Sequence, residues 1–227
     1  MLRLLPSTRL TRPTQQSFIS SKYTTNASPE ELVYPESSTP NHHDLPSFLQ
    51  YASRIDMDPT STTYVGTHYE YTVQAALSRL GMSLKRIGGK SDYGIDLLGT
   101  WSLPPAPQPL KVLIQCKAFA RKVEPSQARE LEGAFVGAPT GWRGAGVLGF
   151  LVSRKPATKG VREALGRSRW PMGYVLCEDD GRVLQMLWNR RAEQEGLEGI
   201  GVGLKYGGGE KNEREVILTW KGDTIRA

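Results

Sequence analysis

The sequence predicts an α/β fold: a mixed central β-sheet flanked by helices, in the order α-β-β-β-α-β-α-β. Three observations carry this expectation. Segments with helical spacing alternate with short apolar runs between residues 61 and 190. One of those runs, GVLGFLV at 146–152, has no polar face, as a strand covered on both sides requires. The chain carries no internal repeat, and no apolar run approaches the roughly eighteen residues of a membrane span.

The elements follow in order. Ser61, Thr62 or Thr63 caps a helix that runs to about Leu80, where Val73, Ala76, Leu77 and Leu80 recur at helical spacing and Gly81 supplies a stop. Strands are predicted at 82–87 (MSLKRI), 93–101 (YGIDLLGTW) and 110–117 (LKVLIQCK), the last two joined by the proline-rich SLPPAPQP. Pro125 opens a helix over 125–136, with Leu131, Ala134 and Phe135 on one side. The strand 146–152, a helix over 157–168 and strands at 172–177 and 182–188 complete the domain, which is assigned residues 61–190. Residues 191–227, rich in glycine and charge, read as a partly flexible extension ending in one strand-like run, EVILTW.

Ahead of the domain, residues 30–60 read as a linker with a short accessory helix around Leu45–Ile55, and His42 and His43 as a solvated pair in a loop. Residues 1–29 differ in composition. They hold Arg3, Arg9, Arg12 and Lys22, ten Ser or Thr and no acid, the pattern of a mitochondrial transit peptide. This segment also explains the formal charge of +6: without its four cations the remaining chain has 25 basic and 23 acidic residues. The body is nearly neutral, so any nucleic-acid surface on it is local. The cysteines, Cys116 and Cys177, lie in predicted strands and read as buried thiols.

Asp96, Gln115 and Lys117 stand inside strands that must bury a face, where an ionisable group needs a partner. Parity groups them. Leu110, Val112, Ile114 and Cys116 share one face of their strand, and Gln115 and Lys117 share the other. Gly94 and Asp96 point away from Ile95 and Leu97, so pairing through the proline turn sets Asp96 beside Gln115 and Lys117. Glu70, three residues before Val73, lies on the inward side of the first helix and points toward the same surface. This composition suits phosphodiester hydrolysis. Asp96, the Gln115 side-chain carbonyl and the Cys116 backbone carbonyl are hard oxygen donors for Mg²⁺ or Mn²⁺. Lys117 positions the attacking water and stabilises charge on the phosphate, and Glu70 supports the metal.

The ordered set GTHYEYTVQAALSRLG, RIGGKSDYGIDLLG and VLIQCK resembles the Mrr-type branch of the PD-(D/E)xK nucleases. Glu70, Gly88–Gly89, Asp92, Gly94–Ile95–Asp96 and Gln115–Cys116–Lys117 fall on that pattern, over roughly residues 64–177. The resemblance implies a restriction-endonuclease-like core and a metal-dependent nuclease acting on DNA more readily than on RNA. SDYGIDLLGTW, ELEGAFVGAP, the stretch from Gly141 to Tyr174 and MLWNRRAEQEGLEG also resemble a fungal mitochondrial family named for being required for respiratory growth. That implies mitochondrial residence and a part in respiratory competence. The alternative is a catalytically silent protein of the same fold that binds nucleic acid or assists assembly in mitochondrial genome maintenance or expression. The oligomeric state is left open, a homodimer included.

Other polar residues have simpler accounts. Asp92, at a Gly-rich turn, suits a capping or turn role better than that of a second ligand. RIGGKSDYG lacks the helix that a phosphate-cradling loop leads into. Lys155, Lys159 and Arg162 form a basic stretch suited to phosphate contacts, and Arg143 beside Trp142 suits a nucleic-acid contact, although each is equally at home on a solvated surface. Glu130 and Glu132 read as surface residues.

Overall fold

The computed structural model describes residues 32–36, 39–88, 94–104, 106–206 and 214–226. Residues 1–29, with the expected transit peptide, lie outside the described residues, as do Gly89, Asp92 and Tyr93.

Each helix begins where a side chain can satisfy its free N–H groups. Asp44 accepts from Ser47 N at 2.8 Å to start α1 (Leu45–Arg54). Ser61 accepts from Tyr64 N at 3.2 Å to start α2 (Thr62–Ser78). In α3 (Pro125–Gly137) the Glu124 N–H donates to Gln127 Oε1 at 2.8 Å, and Thr158 caps α4 (Lys159–Arg167).

Between the helices run β1 (Met82–Arg86), β2 (Leu97–Trp101), β3 (Leu110–Lys117), β4 (Val147–Ser153), β5 (Met172–Cys177) and β6 (Val183–Trp188). They form one mixed sheet in spatial order β1-β2-β3-β4-β5-β6. The first three make an antiparallel meander, β3, β4 and β5 are parallel, and β6 returns antiparallel. The parallel pairs need crossovers, which α3 and α4 provide. This is the mixed, helix-flanked sheet that the sequence predicts.

One face buries Leu97, Trp101, Val112, Ile114, Phe150, Val152 and Val175 with Tyr69, Val73, Ala76 and Leu77 of α2. Tyr69 Oη donates to the Cys177 carbonyl at 2.9 Å, tying α2 to β5. Helix α3, with Leu131, Ala134 and Phe135 fully or nearly buried, covers β3 and β4. Phe135 needs Gly149 beneath it, since a Cβ there would stand 2.6 Å from its ring. Every residue of β4 is buried.

The linker and the C-terminal stretch belong to this packing. His42 is buried rather than solvated: its Nδ1 lies 2.7 Å from Tyr71 Oη, and the rings of Phe48, Tyr51 and Tyr71 surround it. The accessory helix supplies the apolar contacts that make this burial possible, because Phe48 and Ala52 pack on Tyr71. Beyond residue 190, α5 (Arg190–Ala192) leads to a second sheet of β7 (Ile200–Tyr206), β8 (Arg214–Trp220) and β9 (Asp223–Thr224). Ala192, Leu197, Ile200, Val216 and Leu218 join the main core, so this stretch is continuous with the domain assigned to 61–190. Among the described residues no helix is long and apolar enough to cross a membrane.

Two outcomes test this packing. A Cβ on Gly99 of β2 would stand 1.9 Å from the Ser83 backbone carbonyl. Gly99→Ala is therefore expected to lower unfolding stability by roughly 2–3 kcal/mol in denaturant titration, and a loss under about 0.5 kcal/mol would contradict the β1–β2 approach. Burial, then the positive charges of Arg86 and His43, hold His42 below its ordinary value. A depressed pKa gives stability that is present above the unfolded value and lost as pH falls through the folded one. The melting temperature should fall as pH drops from about 7.5 to about 5.5, less so in His42→Gln.

Candidate functional site

The site grows from the place where β2 meets β3. Gly94 turns the chain at a φ of 76°, the left-handed region that glycine enters freely. Asp96 is then fixed on three sides. Its N–H donates to the Ile114 carbonyl at 2.9 Å, and its own carbonyl accepts from Ile87 N and Gly88 N at 2.9 and 3.0 Å. Its Oδ2 accepts from Cys116 N at 2.6 Å. The sequence predicts Asp96 inside a strand over 93–101; instead it immediately precedes β2, and its carboxylate is held by the β3 backbone.

The β2–β3 register, with Leu97 opposite Ile114, sets Asp96 one step on, opposite Gln115. Gln115 is 5% exposed, and its Oε1 is buried without a hydrogen-bond partner. A Cβ on Gly94 would stand 2.9 Å from Gln115 Nε2, so the glycine also makes room for this side chain. The expected juxtaposition of Asp96 and Gln115 is present.

Glu70 arrives from α2. Its carboxylate pairs with Arg86 Nε at 2.5 Å, both side chains being largely buried. This pairing answers the cost of an inward glutamate. Arg86 also lies 5.6 Å from the Tyr71 ring centroid. Glu70 Oε2 and Asp96 Oδ1 each lie 3.4 Å from where a Cβ on Gly88 would sit. The two carboxylates thus flank one small space over the Gly88 backbone.

Lys117, at the end of β3, pairs at 2.9 Å with Glu130 of α3, which is exposed, as the sequence predicts. Its Nζ lies 5.9 Å from the centroid of the Phe119 ring. The Cys116 side chain packs toward the α2 core. Burial, then the negative charges of Asp96 and Glu70, push its thiol well above the usual range, so it stays a protonated, inert group. Burial likewise raises Cys177, to about 12.

Among the described residues, no group of three or more His, Cys, Asp or Glu side chains gathers as a metal site. The donor set here is of a different kind: Asp96 and Glu70 carboxylates, the orphaned Gln115 Oε1 and the Cys116 carbonyl. In an extended strand the N–H and C=O of one residue point to the same neighbour, so this carbonyl shares the side on which Cys116 N meets Asp96. Hard oxygen donors with one amide oxygen otherwise unsatisfied fit Mg²⁺ or Mn²⁺.

The basic candidates divide. Lys155 and Lys159 follow the C-terminal end of β4, the sheet end that carries Lys117; Lys159 is exposed, 3.8 Å from Glu163. Arg162 is in the first turns of α4 and donates to the Ala157 carbonyl at 3.0 Å. Arg143 precedes β4, at the opposite end of a strand of 7 residues, roughly 20 Å long, and donates to the Ala138 carbonyl. It is not brought to the site. The sequence reading missed Arg86 and Phe119. Arg86 had one signal, the inward Glu70 that required a partner; Phe119 had none.

Residues 61–109 and 105–203 match the profile of the family described as Required for respiratory growth protein 7. A mitochondrial protein of Schizosaccharomyces pombe is 32% identical over 155 residues, which cover 66% of this chain and 61% of that relative. The chain therefore spans about three fifths of that relative's length. The mitochondrial Required for respiratory growth protein 7 of Zygosaccharomyces rouxii is 29% identical over 173 residues, covering 58% of this chain and 71% of the relative. Its counterpart in Saccharomyces cerevisiae is 27% identical over 175 residues, covering 59% and 72%. No solved structure matches. These relatives are named mitochondrial, the location that the N-terminal composition predicts. The chain belongs to the mitochondrial family of Required for respiratory growth protein 7.

Proposed function

We propose that this chain is a metal-dependent nuclease with a restriction-endonuclease-like core, hydrolysing phosphodiester bonds of mitochondrial DNA in support of respiratory growth. One observation carries the reading. Gln115 Oε1 is buried without a hydrogen-bond partner beside Asp96, whose second oxygen flanks the space over Gly88 together with Glu70. A buried amide oxygen left unsatisfied costs about 1–3 kcal/mol, and a cation there would relieve it. The element order also supports it: α2 carries Glu70, and the antiparallel meander after it carries Asp96 and Gln115–Cys116–Lys117, the order of the nuclease pattern. The Mrr-type resemblance favours DNA.

In this reading Asp96, Gln115 and the Cys116 carbonyl hold Mg²⁺ or Mn²⁺, with Glu70 within reach. The ion supplies Lewis-acid polarisation of a phosphoryl oxygen. Lys117 brings a positive charge to the end of β3, where it stabilises the negative charge that builds on the phosphate and orients the attacking water. Glu130 steadies that ammonium. Arg86 holds Glu70 toward Asp96. Lys155, Lys159 and Arg162 lie toward the same end of the sheet and suit phosphate contacts, whereas Arg143 takes no part.

A second reading, a catalytically silent nucleic-acid-binding or assembly factor, is favoured by the pairing of Lys117 with Glu130 and of Glu70 with Arg86. Such pairs would hold the constellation together without chemistry.

Incubating the purified full chain with labelled duplex DNA, single-stranded DNA and RNA separates the two. The samples contain Mg²⁺, Mn²⁺ or EDTA. Cleavage should require metal and fall at least about 100-fold in Lys117→Ala. Gly88→Ala adds a methyl 3.4 Å from each carboxylate, ordinary contact, so it should leave the melting temperature unchanged and remove cleavage. Binding without cleavage, unaffected by EDTA, would favour the second reading.

A further inference from the structure

The sheet end that carries Lys117 also opens into a cavity of about 450 Å³ that hydrolysis does not use. Phe119 after β3, Arg154 and Lys155 after β4, and Glu178, Asp179 and Asp180 after β5 line it. Phe119 is 37% exposed, a large apolar ring kept partly in water. Two cations flank it, Lys117 Nζ at 5.9 Å and Arg121 Cζ at 5.2 Å from its centroid. Arg154 lies 4.9 Å from the Tyr69 ring centroid, with Nε 2.6 Å from Asp179 Oδ1. That Nε is buried and is aligned with no hydrogen-bond acceptor.

This lining is poorly suited to a phosphate. Three carboxylates line one wall, and although Arg182 pairs with Glu178 and Asp180 at 2.7 and 2.6 Å, the wall remains rich in carboxylates. It suits a nucleobase. A partly exposed aromatic ring that draws the Lys117 and Arg121 cations over it offers a base a π surface set among positive charges, and carboxylates and a guanidinium are the groups that read the donor and acceptor edges of a base. The volume is within the range of small-molecule sites. A base in an intact duplex is stacked on both sides and cannot enter without being extruded.

We propose that the cavity beside Lys117 takes an unpaired nucleotide base stacked on Phe119, so that this site favours single-stranded or frayed nucleic acid over intact duplex. The proposal rests on the reading above that this sheet end meets nucleic acid. Lys155 and Lys117 then face the sugar–phosphate chain on either side of the base, and the phosphate next to the stacked nucleotide is the one delivered toward Asp96 and Gln115.

The test is binding in EDTA, where a nuclease is silent, of the full chain to oligonucleotides carrying 2-aminopurine. Single-stranded DNA, single-stranded RNA and duplex DNA are compared. The proposal expects tighter binding of at least one single strand than of the duplex, with quenched 2-aminopurine fluorescence. It also expects an affinity loss of about tenfold in Phe119→Ala that Phe119→Trp restores. The DNA and RNA arms identify which sugar the site accepts. Melting temperatures of the two variants, matched to the parent, show that folding is intact. Equal affinity for single strand and duplex, or unchanged binding in a folded Phe119→Ala, would overturn the proposal, while metal-dependent cleavage lost in Lys117→Ala would leave the nuclease reading standing. Phe119-dependent binding of single strands without any cleavage would do the reverse.

Discussion

The hydrogen bond from Cys116 N to Asp96 Oδ2 is the constraint on which the rest of the site depends. It joins the residue that leads into β2 to the last turn of the pleat in β3. The Asp96 backbone carries the connection further, to Ile114 on one side and to Ile87 and Gly88 on the other. Three strand ends are thereby fixed by one residue. A hydrogen bond to a charged acceptor contributes about 1.5–3 kcal/mol, more than a neutral one, and the other carboxylate oxygen, Oδ1, lies 3.4 Å from where a Cβ on Gly88 would sit. Once Asp96 is fixed, the register of β2 on β3 sets Gln115 opposite it, and the pleat carries Lys117 to the same face two residues on.

Charge is compensated around this point in pairs. Arg86 answers Glu70, and Glu130 answers Lys117. Neither adds much net stability: removing the largely buried Arg86 and Glu70 from water offsets most of their attraction, and solvent screens the half-exposed Glu130. Their effect is geometric: each holds a charged group in one orientation. The Arg86–Glu70 pair also reaches the accessory helix, since Arg86 lies against Tyr71, and Tyr71 Oη donates to the His42 carbonyl at 3.1 Å. The linker segment is thus packed against the same residues that orient Glu70.

Periodicity made most of the central sheet legible. Every residue of β4 and five of the eight in β3 are buried, so apolar runs mark them, and α2 announces itself through Val73, Ala76 and Leu77 at helical spacing. Parity then paired Asp96 with Gln115, because side-chain alternation survives whatever the loop between the strands does. Three features were out of reach. The run from Gly94 to Leu97 is uniformly strand-like, and nothing in it reveals that the ladder starts only at Leu97. Strand β7 alternates Ile200, Val202 and Leu204 with Gly201 and Gly203, and glycine is a weak strand former, so only its pairing with β8 makes it a strand. His42 reads as a solvated loop residue until the aromatic rings of α1 and α2 close around it. All three are decided by contacts distant in sequence.

Asp96 and Gln115 are proposed to hold a divalent cation together. The most direct test is the melting temperature of the full chain with and without Mn²⁺, for the parent and for Asp96→Asn, which keeps an oxygen for Cys116 N while removing the charge. At ten times the dissociation constant, binding stabilises by about 1.4 kcal/mol, equivalent to roughly 3–6 °C for a domain of this size. That rise is expected in the parent and is expected to disappear in a folded Asp96→Asn. An equal rise in both, or none in the parent at millimolar Mn²⁺, would contradict it.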